Sequence, residues 1–282
     1  MPEHTLDYRL PEPLRGTFLE EIMKARIPEI VGARRKWPSE AIRPVLDRAP
    51  VPRSFKRSLT GRSPGIIAEL KRSSPSAGTL RTDFDPVKLG RELECAGAAA
   101  LSVVTEPRYF QGTLESIAVL RWSAGVPILR KDFIVDGYQL LEARHAGADC
   151  VLLIAALLPE ALLRRLLEET QALGMDALVE VHNAGELDLA LKSGATNIGV
   201  NNRDLRTLQV SLEVSLELAG RLPREILAIS ESGIRTADDI RRLSDAGYRG
   251  FLVGEQLMRS PSPAAALMEL TGKDSGRQRM AS

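Results

Sequence analysis

Eight short apolar runs recur along the chain, and each is followed by a stretch with helical periodicity. Because no run exceeds five residues, the runs are too short to be buried helices. They occupy residues 65–68, 100–104, 127–129, 150–154, 177–179, 198–200, 226–229 and 251–253. Continuous apolar runs separated by helices are typical of a parallel sheet that helices cover on both faces. Eight such units in 282 residues predict a (β/α)8 TIM barrel, of the α/β class.

A small repeat supports this fold. A glycine ends the helical stretch before four of the apolar runs, at Gly97, Gly147, Gly194 and Gly247. Glycine suits the left-handed residue that closes a helix before the chain turns into the next strand. A doubly wound open sheet is the alternative fold. It is disfavoured because no run is followed by a Gly-x-Gly-x-x-Gly turn.

The barrel prediction divides the chain into three parts. Residues 1–15 are proline-rich and are expected to form a flexible N-terminal extension. Residues 16–272 are expected to form one domain, with an N-terminal helical segment over 16–64, including a helix over 17–35, and the barrel over 65–272. Residues 273–282 are expected to be a flexible tail.

Composition excludes several classes of protein. The chain has 38 basic and 37 acidic residues, which argues against a surface for nucleic acid but not against a local anion pocket. The longest uninterrupted apolar stretch, 150–158, consists of the run at 150–154 and the four apolar residues after it. It falls far short of the roughly 20 residues that span a bilayer, and no secretory signal is visible. Cys95 and Cys150 lack metal-type spacing and are expected to be reduced and packed. We expect a cytoplasmic protein, either a monomer or a homodimer, with a small-molecule partner.

Polar residues follow five of the predicted strands, where a barrel places its functional groups. They include Glu69 with Lys71, Lys131, Glu180, Asn201 with Arg203, and Glu231. Glu69 and Lys71 are two residues apart and therefore share one face of the first strand. Because isolated buried charges are costly, convergence from five strands predicts paired charges or a ligand site.

Two features point to an anion at this end of the barrel. Gly233 and Gly254 follow the seventh and eighth runs and precede predicted helices, an arrangement that lets backbone N–H groups approach a phosphate. The loop over 72–80 is rich in small and hydroxyl residues. Such a loop suits either a mobile lid or an ordinary connection.

Motifs on the predicted strands resemble those of the indole-3-glycerol-phosphate synthase family. They include IAELKRSSPS at 67–76, LSVVTE at 101–106, YFQG at 109–112, KDFI at 131–134, LVEVH at 178–182, GVNNRDL at 199–205, SESGI at 230–234 and LVGE at 252–255. The resemblance extends from about residue 18 to about residue 270, with slight departures at Leu70 and Ala77.

The resemblance implies the conversion of 1-(2-carboxyphenylamino)-1-deoxyribulose 5-phosphate into indole-3-glycerol phosphate, carbon dioxide and water, a step of tryptophan biosynthesis. The enzyme would be a lyase that works by general acid–base catalysis, with no cofactor and no metal.

The resemblance also assigns roles to residues. Lys131 is the expected general acid at the ketone, Lys71 assists decarboxylation, Glu180 is the base for dehydration, and Glu69 holds Lys71. A lysine beside other cations and partly desolvated would have a lowered pKa. Asn201 would bind a substrate hydroxyl, and Arg203 and Glu231 would complete the polar ring. The expected aromatic-ring wall is Phe110, Phe133 and Leu152, and the expected phosphate ligands are Lys71, Ser74, Ser232, Gly233, Gly254 and the backbone N–H of Glu255.

Three alternatives stay open. Lys131 and Glu180 could form a structural ion pair inside the barrel. The chain could resemble phosphoribosylanthranilate isomerase, although that enzyme is expected to have a cysteine at the end of the first strand, where this chain has Glu69 and Lys71. It could also be a barrel that binds a phosphorylated ligand without catalysis. His182 is expected to be a structural hydrogen-bonding residue rather than a catalyst.

Overall fold

Eight parallel strands close into a barrel in the computed structural model, which describes residues 6, 8–75, 77–204 and 207–272. The barrel strands are β1 (Gly65–Leu70), β4 (Ala100–Val104), β5 (Ile128–Lys131), β6 (Cys150–Ile154), β7 (Asp176–Val181), β8 (Asn197–Asn201), β9 (Leu227–Glu231) and β10 (Gly250–Val253). Each pairs with its neighbours in chain order, and β1 also pairs with β10, so the barrel closes. The predicted TIM barrel is therefore confirmed.

Burial explains why the strands appear as continuous apolar runs. Every residue of β1, β4, β6, β8, β9 and β10 is buried, because the barrel interior lies on one face and helices on the other. Several strands continue beyond the apolar run into a polar residue, such as Glu69, Glu180 or Glu231. Hydrophobicity alone therefore predicted these strand ends too early.

Three α-helices precede β1, and the other α-helices of the described residues follow strands around the outside of the barrel. In chain order, the α-helices are α1 (Phe18–Lys36), α2 (Ser39–Ile42), α3 (Phe55–Thr60), α4 (Pro86–Cys95), α5 (Pro107–Phe110), α6 (Glu115–Arg121), α7 (Gly137–Ala146), α8 (Glu160–Ala172), α9 (Ala184–Lys192), α10 (Glu213–Ala219), α11 (Ala237–Asp245), α12 (Glu255–Arg259) and α13 (Pro263–Leu270). Short 3-10 helices lie at Glu12–Leu14, Arg43–Arg48 and Ala155–Leu157. The four glycines of the repeat all have φ between +89° and +108°, as predicted for residues that close a helix. No helix in the described ranges has both the length and the apolar character needed to cross a bilayer.

The described part of the N-terminal extension packs on the barrel. The Tyr8 hydroxyl donates a hydrogen bond to the Leu157 carbonyl at 3.1 Å, and Leu14 is buried. Residues 1–5 and 7 and the predicted tail at 273–282 lie outside the described residues, as do Ser76 and Leu205 of the motifs. The division into flexible ends and one domain stays a prediction.

One local feature differs from the sequence-based expectations, and a second adds detail to them. Cys150 is buried in β6, but Cys95 is exposed, so its predicted packing is wrong. The reason is that α4 buries the face carrying Leu89 and Leu93, and Cys95 lies outside that face in the last turn. The 72–80 loop contains an antiparallel hairpin, β2 (Ser73–Ser74) with β3 (Gly78–Thr79).

Candidate active site

A cavity of about 460 Å³ opens at the carboxyl ends of the barrel strands. All eight strands contribute to its lining, from Glu69 on β1 to Val253 on β10. Fourteen of the fifteen residues assigned to the site from the sequence line it: Glu69, Lys71, Phe110, Lys131, Phe133, Leu152, Glu180, Asn201, Arg203, Glu231, Ser232, Gly233, Gly254 and Glu255. The convergence predicted from the strand ends is therefore present.

Ser74 is the exception. It does not line the cavity, because the hairpin buries it within β2, where its Oγ has no hydrogen-bond partner among the described residues. The structure therefore does not place Ser74 in the cavity, where its contact with phosphate was predicted.

Lys131 lies between two buried carboxylates. Its Nζ is 3.0 Å from Glu180 Oε2 and 3.0 Å from Glu231 Oε2. Burial alone would lower the pKa of Lys131, but Glu180, Glu231 and Glu69 outweigh it and raise the pKa well above its usual value. The expected lowering of a lysine pKa by neighbouring cations is thus wrong for Lys131, because the residues around it are carboxylates.

Glu69 and Lys71 form a second ion pair on β1 and just after it. The Lys71 Nζ lies 2.6 Å from Glu69 Oε1, which confirms that the two side chains share a face. Burial opposes ionisation of Glu69, yet Lys71 and Lys131 together lower its pKa. One oxygen each of Glu69 and Glu231 is buried without a hydrogen-bond partner among the described residues. Because buried polar atoms are normally hydrogen-bonded, these two oxygens are open to a bond from ordered water or a polar ligand.

The two carboxylates on Lys131 differ in their ionisation. Burial raises the pKa of Glu231 to about 7, and the charges of Glu180 and Glu69 add to this effect although Lys131 opposes it. Burial also opposes ionisation of Glu180, but Lys131 and His182 reverse that effect and hold its pKa well below the usual range. Neighbouring carboxylates whose pKa values move apart are suited to separate acid and base roles.

An apolar wall borders this polar ring. The Phe110 and Phe133 rings are 6.3 Å apart between centroids, and Leu152 is a buried residue of the same cavity lining. Glu106, which the sequence did not single out, holds the Phe110 turn by accepting backbone N–H bonds at 2.7–3.0 Å. The sequence pattern that could have identified Glu106 is the Glu106-Pro107 pair, since an acidic cap followed by proline is typical of the start of a helix.

The opposite side of the cavity carries cations and an unusual turn. Ser232 and Gly233 have φ of +66° and +83°, so the chain turns sharply as it leaves β9. Asn202, unassigned from the sequence, holds this turn by donating to the Ser230 hydroxyl and to the Glu231 and Ser232 carbonyls.

Glu255 lies among arginines at this side. Its carboxylate is 3.6 Å from Arg203 and 3.0 Å from Arg259, and Arg235 also lines the cavity. The side therefore combines a left-handed backbone turn with cationic side chains, which suits an anion.

The comparisons with known proteins agree with this geometry. A family model described as indole-3-glycerol phosphate synthase matches residues 19–270. The chain is 43% identical over 260 residues to the indole-3-glycerol phosphate synthase of Polaromonas naphthalenivorans (strain CJ2), covering 91% of this chain and 99% of that protein. Its identity to the indole-3-glycerol phosphate synthase of Koribacter versatilis (strain Ellin345) is 49% over 224 residues, covering 78% and 86% respectively.

A solved structure supports the fold alone. Thiamine phosphate pyrophosphorylase from Pyrococcus furiosus matches with a TM-score of 0.58 at 19% identity, covering 78% of this chain and 97% of that one. The family match spans nearly the whole barrel and includes every strand that lines the cavity. The chain therefore belongs to the indole-3-glycerol phosphate synthase family.

Proposed function

We propose that the protein converts 1-(2-carboxyphenylamino)-1-deoxyribulose 5-phosphate into indole-3-glycerol phosphate, carbon dioxide and water. The observation that carries this proposal is the position of Lys131. It lies between Glu180 and Glu231, and the cavity around these groups has an apolar wall and a cationic side. A substrate with an aromatic ring, a reacting ketone and a phosphate requires these three environments in one cavity.

Ring closure uses Lys131. The aromatic carbon that bears the carboxylate attacks the ketone carbon, and the Lys131 ammonium donates a hydrogen bond and then a proton to the ketone oxygen. Because carboxylates surround Lys131, it stays charged at neutral pH and stabilises the developing negative charge. Glu231, with a pKa of about 7, is suited to return a proton to Lys131.

Decarboxylation and dehydration follow in the same cavity. Lys71, held by Glu69, pairs with the substrate carboxylate until it leaves as carbon dioxide, and its ammonium then protonates the departing hydroxyl. Glu180 takes the proton that completes the aromatic indole. Asn201 lies in the lining beside these groups and hydrogen-bonds a substrate hydroxyl.

Binding uses the two remaining sides of the cavity. The anthranilate ring lies against Phe110, Phe133 and Leu152. The phosphate lies against Lys71, Arg203, the Ser232–Gly233 turn and the backbone N–H groups of Gly254 and Glu255. The arginines on the Glu255 carboxylate reduce its repulsion of the phosphate.

The test is an indole-fluorescence assay of the purified protein with this substrate. We expect product from the wild type, and Lys131→Met and Glu180→Gln to lose at least about 100-fold in kcat, as expected when an acid or base is removed. Tight binding of the substrate without product would instead indicate a binding barrel.

Phosphoribosylanthranilate isomerase activity has no support in the cavity. Neither free cysteine lines it, since Cys95 lies exposed on α4 and Cys150 begins β6. A cytoplasmic location and a monomeric or homodimeric state stay predictions.

A further inference from the structure

We infer that His182 is a positioning residue that makes Glu180, rather than Glu231, the carboxylate available as the base. This inference rests on the proposed function, since it takes Glu180 as the base of the dehydration step.

The two oxygens of Glu180 face different cations. Glu180 Oε2 is 3.0 Å from the Lys131 Nζ, and Glu180 Oε1 is 3.3 Å from His182 Nε2. The His182 side chain is 10% exposed, and its Nε2 has no hydrogen-bond partner among the described residues. The contact with Glu180 is thus an ion pair without a well-aligned hydrogen bond, and Glu180 supplies the nearby counter-charge for Nε2.

Glu186 fixes the other side of the His182 ring. Its Oε2 lies 2.9 Å from His182 Nδ1 and accepts the His182 backbone N–H at 2.8 Å. Its Oε1 accepts a bond from the Asn183 amide at 2.7 Å, in the first turn of α9. The imidazole therefore lies between two carboxylates, and its position is set by the start of a helix.

This environment favours the protonated imidazole. Burial alone would lower the pKa of His182, but its contacts with Glu180 and Glu186 raise the pKa to about 10. A cation at this position lies across Glu180 from Lys131. Several charged groups affect the ionisation of Glu180. They are Lys131 on β5, Glu231 on β9, Glu69 on β1 and His182 after β7.

Glu231 lacks a matching contact. It accepts a bond from the same Lys131 Nζ at the same 3.0 Å distance, but its Oε1 is buried without a partner among the described residues. Both carboxylates share the lysine and both are buried. The second cation on Glu180 is therefore the feature that separates them, and it leaves Glu180 ionised while Glu231 keeps a proton more readily.

The decisive variant is His182→Gln, which keeps a polar side chain and removes the charge. We expect the acidic limb of the kcat profile to move up towards pH 7. Below about pH 7 the Glu180–Glu231 pair holds one proton, and without the His182 charge that proton is no longer confined to Glu231 and can protonate Glu180. At pH 6, kcat should fall about tenfold, and above pH 8 it should recover to within about threefold of wild type. KM should change less than about twofold, because His182 does not line the substrate cavity.

Two further variants separate positioning from folding. Glu186→Gln should move the limb in the same direction by a smaller amount, because it weakens the hold on His182 without removing it. Asp85→Ala removes the cap of α4, whose Oδ1 accepts the Val87 and Lys88 N–H groups, and lies outside the cavity lining. It should lower Tm without moving the pH profile.

A second cavity beside His182 provides an independent test. Its volume is about 750 Å³, and it is lined by His182, Glu186 and Leu14 among others. Added imidazole should therefore reach the space left in His182→Ala and restore kcat at pH 6 by at least about threefold, because imidazole of ordinary pKa is largely protonated there. Wild type and Asp85→Ala should not respond.

The outcomes are distinct. A wild type that forms product while His182→Gln keeps its pH profile, or loses activity equally at every pH, overturns the inference alone. A wild type that forms no product at any pH overturns the proposed function and the inference together. A shifted acidic limb with imidazole rescue supports both.

Discussion

Two glycines admit the carboxylates of the active site. A Cβ on Gly199 would lie 2.0 Å from Glu231 Oε1, and a Cβ on Gly254 would lie 2.4 Å from Glu69 Oε1. Neither glycine needs a left-handed backbone for this, since neither has a positive φ. At these positions the absence of a side chain creates the space in which Glu231 and Glu69 approach their lysines. Gly254 therefore has a packing role besides its proposed contact with phosphate.

Gly199→Ala is expected to displace Glu231. We predict a loss in kcat of at least about tenfold and a loss of stability of about 1–3 kcal/mol, as is usual for an overpacked interior. Steady-state assays and urea unfolding would measure the two effects. Gly32→Ala in α1 is the matched control, because a Cβ there meets nothing within 4 Å and should leave kcat unchanged. Wild-type kcat in Gly199→Ala would contradict the proposed position of Glu231.

Glu231 should also make stability depend on pH. Its pKa is 4.5 as a free group and about 7 in the folded protein, so the folded state retains a proton that the unfolded state loses. The stabilising effect is complete below pH 4.5 and disappears as pH rises through about 7. Relative to Glu231→Gln, the wild type should therefore lose about 1–3 kcal/mol between pH 5 and pH 8. Urea unfolding of both proteins at each pH measures this difference, and a constant difference would count against it.

At the scale of elements, hydrogen bonds connect α1 to Asp132, the residue after β5. Asp132 follows Lys131 and is buried, and it accepts bonds from Arg26 of α1 at 2.8 and 3.1 Å. It also accepts bonds from the Thr105 hydroxyl at 2.7 Å and from Arg130 at 2.9 Å. Burial opposes ionisation of Asp132, but these cations hold its pKa well below the usual range. Asp132 lies between Lys131 and Phe133, so this network sets the position of both.

Arg26→Met tests this connection. It leaves a buried carboxylate with fewer partners, so we predict a loss of about 3–5 kcal/mol in unfolding free energy. We also expect a fall in kcat, because Lys131 and Phe133 lose their support. Lys24→Met is the matched control on the same helix, since Lys24 pairs with Glu20 at the surface and should change stability by less than about 1 kcal/mol. Equal effects of both changes on unfolding would argue against the network.

Sequence patterns predict those elements whose environment is uniform along the chain. The strands of the barrel are buried on both faces, so each appears as an apolar run, and the period of two places Glu69 beside Lys71. The raised pKa of Lys131 could not be predicted in this way, because its carboxylates arrive from β7 and β9 only when the barrel closes. The burial of Ser74 depends on a hairpin, and the need for Gly199 depends on a side chain of the next strand.

For the whole molecule, the near-zero net charge conceals a local concentration of cations. The chain carries a formal net charge of +1, and the active-site cavity is lined by five cations and five carboxylates. Three of these cations, Arg203, Arg235 and Arg259, lie on the proposed phosphate side, where Glu255 is the carboxylate that pairs with Arg203 and Arg259. A field focused at a cavity attracts an anionic substrate and is weakened by salt.

We therefore expect kcat/KM to fall several-fold between 50 mM and 500 mM salt, mainly through KM. Arg235→Gln should reduce this salt dependence, whereas Arg241→Gln should not, because Arg241 pairs with Asp238 outside the cavity. Initial rates at a series of salt concentrations test both variants. A salt dependence that is the same in all three proteins would show that the cavity charge does not attract the substrate.

Closure of the barrel has a consequence for protein synthesis. β1 pairs with β10, and Gly254, the residue after β10, lies against Glu69 of β1. A nascent chain that has not yet released β10 from the ribosome leaves open edges on both β1 and β9, which are prone to pair with other chains. Such a chain also lacks the contact of Gly254 with Glu69, the carboxylate that pairs with Lys71. The edges of β1 and β9 are therefore protected, and the polar ring of the active site is completed, by the same late event, which is the pairing of β10.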